Sequence, residues 1–528
     1  MAIHKSIKEK ANTTFDICII GSGPAGMTLA SELSSSNKKI CVVESGGISK
    51  NQSVDKLKEV VSAGDVKIRE SSRERIFGGT STTWSGLSSP LDDIDLHTWP
   101  ITKSEIYEYY RRSEKYGFAN LNEFSDAGIS EARKNADFTL QSKNIKEKIF
   151  IAKDPAWNFA KELKHIFGKD NVDIFLNSTV IDIKKNGNDI QEISIKSEGD
   201  TYSIKSKIFI IAAGGIESTR ILLTSNIGNE NDLVGRYITN HPKNNYGVIR
   251  LNKPVKDLTY LFGYLHSGWA RSAGISLTEE MQKSLGILNS YVRLEPVFPW
   301  TDSVGVTEVI AISKKLKYIL DYWKRMQKKI VGLRDWNETG DTRKKDIKFN
   351  WFTAIYKIII DAPKVISYGY HRIFQNKVIP IKSIRLRNFM EMEARYENRI
   401  ILDDKTDING NRIPKVILNF SELDKRSVIE LHRILGEEIR NRGIGILESD
   451  IDKVEVWPIN SEASHHLGGA IMGLDRTKSV VDQNLKVHST SNLYICSGSV
   501  FPTSGCANPT YTICALAIRL ADHLKKTL

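Results

Sequence analysis

Residues 15–47 read FDICIIGSGPAGMTLASELSSSNKKICVVESGG, and this stretch decides the fold. Its apolar run Ile17-Cys18-Ile19-Ile20 is short enough for a buried parallel strand. Gly21-x-Gly23-x-x-Gly26 follows at once, and residues 27–33 open a helix. The first glycine permits the tight turn, the second lets a pyrophosphate approach the backbone, and the third lets helix and strand pack closely. Free N–H groups at the helix start then face the phosphates. A second strand, residues 40–43, ends in Glu44, at about the 20-residue spacing of the acid that accepts hydrogen bonds from ribose hydroxyls. An acid there favours an unphosphorylated ribose, as in FAD or NAD, over NADP. Strand, helix, second strand and acid in register predict a dinucleotide site.

A chain of 528 residues is too long for one ordinary core, which predicts two domains. With 40% hydrophobic and 26% charged residues, its composition is that of a soluble globular protein. The net charge of +12 comes without a zinc pattern or an aromatic RNA-binding signature, so no nucleic-acid partner is expected. Cys18, Cys41, Cys496, Cys506 and Cys514 are odd in number and lack CxxC spacing. Two of them sit inside strands as small hydrophobes, which predicts a reducing compartment, and no metal site is expected. Neither a signal-peptide pattern nor an apolar run of about 18 residues occurs, so the expected location is cytoplasmic. Attachment to the inner face of a membrane stays open.

Further along, residues 78–84 read GGTSTTW, a donor-rich loop that cannot be a stable helix. An amphipathic helix is expected over 104–116, capped by Ser104, and residues 120–170 are polar and mixed. Strands over 177–204 turn at Asn186-Gly187, and the strand 208–213 runs into Gly214-Gly215 with a helix from Thr219. This second strand-glycine-helix junction aims another helix N-terminus at a ligand. A hairpin is predicted around Asn409-Gly410. Between them lies a basic segment whose Ile312, Leu316, Ile319, Leu320, Trp323, Met326 and Ile330 share one helical face, ringed by lysine and arginine. A second apolar stretch, 349–360, follows it. Such helices either pack on the domain or lie on an anionic membrane surface.

The fingerprint, the GGTSTTW loop, AAGGIESTRILL at 212–223, GRYITNHP at 235–242, HHLGGAIMG at 465–473 and NLYICSGSVFPTSGCANPTYTICALAIRLADHL at 492–524 occur in one order. That order resembles the glucose-methanol-choline (GMC) family of FAD-dependent oxidoreductases, nearest its pyranose oxidase and fructose dehydrogenase branch. The likeness is weak from about 250 to 385. It implies an α/β fold in which a doubly wound, Rossmann-like FAD-binding domain (1–100, 170–245 and 455–528) interleaves with an α+β substrate domain on an antiparallel sheet (101–169 and 246–454). The basic insertion, about 312–376, has no counterpart in the family pattern.

The resemblance also implies site residues. Gly21, Gly23 and Gly26 would face the FAD pyrophosphate and Glu44 the adenosine ribose, with Val180, Ala213 and Gly214 near the adenine side. Gly79, Thr80, Ser81, Thr83 and Trp84 would lie along the isoalloxazine, with Ser499, Asn508, Pro509 and Thr510 also on the cofactor. Some pyranose oxidases carry a flavin-bonded histidine where this chain has Thr83, which implies non-covalent FAD. On the H-x-x-G pattern the catalytic histidine is His465, with His466 as the neighbour that could be confused with it, and its partner is Asn508. Removing hydride from an alcohol carbon requires the hydroxyl proton to leave, and an imidazole with a pKa of about 6.5 suits that task.

The expectation is thus oxidation of an alcohol, a sugar or polyol hydroxyl, to a carbonyl, with oxygen, a quinone or a redox protein as acceptor. Three other readings stay open. One is an NAD-dependent dehydrogenase. Another is a membrane-surface flavoprotein acting on a lipid- or polymer-linked substrate, with contact through residues 312–376. The third is a non-catalytic binding protein.

Overall fold

The computed structural model describes residues 3–4, 7–10, 13–134, 136, 138–321, 350–373 and 380–527. Of the predicted amphipathic face, Trp323, Met326 and Ile330 lie outside them.

The strand Thr14–Ile20 runs between Ile40–Val43 and Asp200–Ile211, all parallel, with Ile17 opposite both Ile40 and Ile208. Val172–Phe175 and Ile3–His4 extend the sheet beyond Ile40–Val43, and Leu493–Ile495 pairs with Asp200–Ile211. Ile17, Ile19, Ile40, Val42, Phe209 and Ile210 are each fully buried, as both faces of a parallel sheet require. Cys18 and Cys41 sit opposite each other as free, buried thiols. Because the parallel strands end on one side, the turns after Ile20, Val43, Ile211 and Ile495 gather there, where open α/β sheets bind ligands.

Asp200–Ile211 is long enough to serve three partners. Its first half pairs antiparallel with Asp189–Ser197, which turns back from Ser178–Asn186 through Gly187 at φ +60°. The Asn-Gly hairpin is therefore present. The helix after residue 211 is Gly215–Thr224, four residues earlier than expected, because Gly214, at φ +80°, makes the turn.

A second sheet is antiparallel throughout, and Trp269–Leu277, Tyr291–Pro296 and Ile381–Phe389 form its middle. The α/β architecture with an antiparallel companion sheet is thus observed. Its strand Ile145–Lys153 was hidden in the stretch read as polar and mixed. Lys148 there is buried, with its Nζ 2.9 Å from Asp92 and donating to the Pro90 carbonyl. A buried ion pair breaks the apolar alternation by which a strand is recognised. The hairpin Arg399–Thr406 with Arg412–Ile417 forms around Asn409-Gly410. Thr102, rather than Ser104, caps the helix Lys103–Ser113, accepting from the Glu105 N–H.

The helices Val304–Asp321, Trp351–Ile360 and Ala362–Ile373 lie within the connection from Tyr291–Pro296 to its antiparallel neighbour Ile381–Phe389. The first packs on the other two, and Asp361 Oδ2 accepts from Ser303 Oγ and Gly305 N.

Candidate active site

Two helices begin uncapped at the strand ends. Neither Gly23, before Pro24–Leu33, nor Gly214, before Gly215–Thr224, offers a side chain to its helix start. Both N-termini border one elongated cavity, which therefore presents unsatisfied N–H groups and two positive dipole ends. A Cβ added at Gly23 or Gly214 would meet no protein atom within 4 Å, so both glycines face open space. Gly26 does something else: a Cβ there would lie 1.9 Å from the Gly21 carbonyl oxygen. It lets the turn and helix touch and does not line the cavity.

Glu44 stands at the cavity wall with its carboxylate fixed. Oε2 accepts from Ser22 N and Oγ at 3.0 and 2.7 Å, and Oε1 from Gly46 N at 2.8 Å. Gly79, Thr80, Val180, Ala213, Pro509 and Thr510 share this wall. Ser81 and Ser499 are turned into the protein instead. Ser81 Oγ bonds the Gly78 carbonyl and the Phe159 N–H, and Ser499 Oγ bonds Ser497 Oγ at 2.7 Å.

A second cavity meets the first at Thr80, Ser464, His465 and Thr510. Thr83, Trp84 and Asn508 line it together with His465. The first cavity, its two helix ends and the fixed acid fit a flavin dinucleotide, and the second cavity adjoins it.

His465 sits between two partners. Its Nδ1 is 2.7 Å from His241 Nδ1, and its Nε2 is 3.3 Å from Asn508 Nδ2. Asn240 Oδ1 accepts from the backbone N–H groups of both histidines, which locks their spacing. Ser464, at φ +63°, pays for the sharp turn that delivers His465, and Glu462 ties that turn to Arg69 and Asn240. Burial pushes the His465 pKa well below its ordinary value, helped by His241, Lys243, His466 and Arg69. Its imidazole is therefore neutral and able to accept a proton. His466 borders only the first of the two cavities, with Nε2 3.8 Å from Glu462 Oε2 and a pKa lowered to about 4 by burial.

Sequence reasoning did not single out His241, Lys243, Arg293, Arg387 or Phe389, which also stand at this site. The signal was present in GRYITNHP for the histidine, and in Arg293 of one strand and the alternating Arg385 and Arg387 of another for the arginines. Only strand pairing shows that those arginines meet. Among the described residues, no cluster of metal-ligating side chains occurs.

Residues 447–517, which include His465 and Asn508, match a family model described as GMC oxidoreductase. The fructose dehydrogenase large subunit of Gluconobacter japonicus is 23% identical over 336 residues, 62% of this chain and 49% of that protein. The 6'''-hydroxyparomomycin C oxidase of Streptomyces lividus is 30% identical over 156 residues, 27% of this chain and 26% of that one. The matches thus span about half and about a quarter of these relatives' lengths. The crystal structure of a pyridoxine 4-oxidase from "Mesorbium loti" shares the fold, with a TM-score of 0.58 at 14% identity over 97% of this chain and 99% of that one. In its C-terminal segment, in these relatives and in its fold, the chain is similar to the GMC oxidoreductases.

Proposed function

We propose that this protein binds FAD non-covalently and oxidises an alcohol, a sugar or polyol hydroxyl, to a carbonyl. The observation that carries the reading is the placement of His465, where the two cavities meet, 3.3 Å from Asn508 of the second cavity. A flavin held in the first cavity supplies the acceptor for the hydride that leaves the alcohol carbon. His465 Nε2 takes the hydroxyl proton, which keeps the forming carbonyl from carrying charge. Asn508 holds the same oxygen without competing for the proton. His241 fixes the ring of His465 from the opposite side.

Gly23 and Gly214 cradle the pyrophosphate at the two helix ends, and Glu44 takes the ribose hydroxyls. Thr83, whose Oγ1 donates to the Thr80 carbonyl, has no imidazole to form a covalent flavin bond. Sugar chemistry is named in the fructose dehydrogenase relative, which supports the substrate class. The test is anaerobic bleaching of the flavin by a panel of sugars and polyols, followed by air. Bleaching by an alcohol supports the reading, and rapid recovery in air marks an oxidase. An NAD-dependent enzyme would carry no yellow chromophore.

A peripheral seat on an anionic bilayer is favoured by one surface. Phe352, Ile355, Tyr356 and Ile359 recur at helical spacing and are exposed, Phe352 at 87%. Ile366 of the next helix is exposed as well, and the neighbouring segment 322–349 is rich in lysine and arginine. An exposed apolar helix face in a basic stretch of sequence suits a lipid headgroup boundary. Among the described residues, no helix is long and apolar enough to cross a membrane.

A further inference from the structure

The strands Tyr291–Pro296 and Ile381–Phe389 pair so that three rungs share one face of the sheet. Tyr291 stands opposite Phe389, Arg293 opposite Arg387, and Glu295 opposite Arg385. The first rung is a stacked aromatic pair, ring centroids 4.7 Å apart at 7°. The third is an ion pair, in which Arg385 Nε and Nη2 donate to Glu295 Oε2 at 3.0 and 2.9 Å. The middle rung sets two guanidinium groups against each other, an arrangement that costs stability in a sheet.

Arg293 is only 7% exposed. Its Nη2 donates to Ser272 Oγ at 2.6 Å, and among the described residues no carboxylate lies within ion-pair distance of it. Glu295, one rung away, is committed to Arg385. Arg387 makes no hydrogen bond or ion pair with any described residue. Both arginines line the cavity that holds His465 and Asn508, and Lys243 and Arg69 line it too. Arg69 is offset by Glu462 at 3.0 Å, and that carboxylate stands behind the wall. Among the described residues, no aspartate or glutamate lines this cavity. Burial and the neighbouring Arg387 lower the Arg293 pKa to about 10, which still leaves it cationic at neutral pH.

Two adjacent guanidinium groups, one of them buried, at the wall of a cavity without an acid require an anion to offset them. We propose that the substrate is an alcohol that carries an anionic group, a carboxylate, phosphate or sulfate, which Arg293 and Arg387 grip while its hydroxyl meets His465. The inference rests on the alcohol-oxidation reading above. The anion is an anchor and stays intact; only the C–H and O–H bonds of the hydroxyl-bearing carbon break. A planar guanidinium fork matches all three oxyanions, and its grip adds geometry as well as charge. The ring faces of Tyr291, Phe389 and Phe150 leave the rest of the cavity suited to an apolar or sugar-ring surface.

The test uses the FAD-loaded protein and matched pairs: glucose against glucuronate, glucose 6-phosphate and glucose 6-sulfate, and glycerol against glycerate and glycerol 3-phosphate. Anaerobic flavin bleaching and thermal melting are read for each. The expected result is that at least one anionic member bleaches the flavin with kcat/KM at least tenfold above its neutral partner and raises the melting temperature where the partner does not. Which anion does so separates carboxylate from phosphate and sulfate. Arg387→Gln and Arg293→Gln should each raise KM for that compound at least tenfold, with FAD content unchanged. Neutral alcohols that bleach as well as or better than their anionic partners would overturn the anionic substrate and leave the oxidoreductase reading standing. A flavin that dithionite reduces but no alcohol of either kind bleaches would overturn both.

Discussion

His241 Nδ1 and His465 Nδ1 lie 2.7 Å apart, with their rings crossed at 88°. Burial keeps both imidazoles neutral, so one nitrogen donates and the other accepts. The Asn508 amide N–H faces His465 Nε2, which makes that nitrogen the acceptor. His465 then carries its proton on Nδ1 and donates it to His241. The pair thus presents an unprotonated Nε2 toward the second cavity.

His241→Phe removes the acceptor and leaves the ring volume filled. One hydrogen bond of about 1.4 kcal/mol corresponds to about a tenfold loss in kcat. FAD content should not change, and His241→Gln, which keeps an acceptor, should recover part of the loss. Steady-state kinetics on the three proteins check this; unchanged kcat in His241→Phe would remove His241 from the account.

The pH profile follows from the direction of the His465 shift. A lowered pKa means that the imidazole stays unprotonated as the pH falls through 6.5. The kcat/KM profile should therefore stay flat through that value and drop only at more acidic pH. An acid limb centred at or above 6.5 would contradict the buried, neutral base. The same sign applies to stability. His241 and His466, both lowered to about 4, contribute stability that is complete above the unfolded value and is lost as the pH falls toward 4.

Gly23 and Gly26 should separate binding from folding. Gly23 has φ −70° and open space beside it, so Gly23→Ala should fold normally and bind FAD at least tenfold more weakly. Gly26→Ala drives a methyl into the Gly21 carbonyl and should lower the melting temperature of the protein even without cofactor. Flavin absorbance and thermal melting on both variants decide it. Full FAD occupancy in Gly23→Ala would place the pyrophosphate elsewhere.

The exposed helix face gives a binding prediction. Wild-type protein should co-sediment with vesicles rich in anionic lipid and not with neutral ones, and a Phe352→Asp, Ile359→Asp double variant should stay in solution. Equal sedimentation of wild type and variant would remove the bilayer reading.

The parallel strand, its glycine turn and the acid at Glu44 were legible because each is local. A run of four apolar residues, a GxGxxG and one carboxylate lie within thirty residues of each other. The Asn186-Gly187 and Asn409-Gly410 hairpins were legible for the same reason. What escaped depends on contacts distant in sequence. Ile145–Lys153 reads as polar until Asp92 neutralises Lys148, and Arg293 and Arg387 are unremarkable until the sheet sets them face to face. His465 and His466 share every motif and differ in the cavities that they border, which sequence alone does not give.

The most direct test of His465 as the base is single-turnover flavin reduction under anaerobic conditions in His465→Ala and His466→Ala, both loaded with FAD. The account predicts a fall of at least ~10²-fold in the reduction rate for His465→Ala, the range of a lost general base, and much less for His466→Ala. Wild-type reduction in His465→Ala, or the larger loss in His466→Ala, would contradict it.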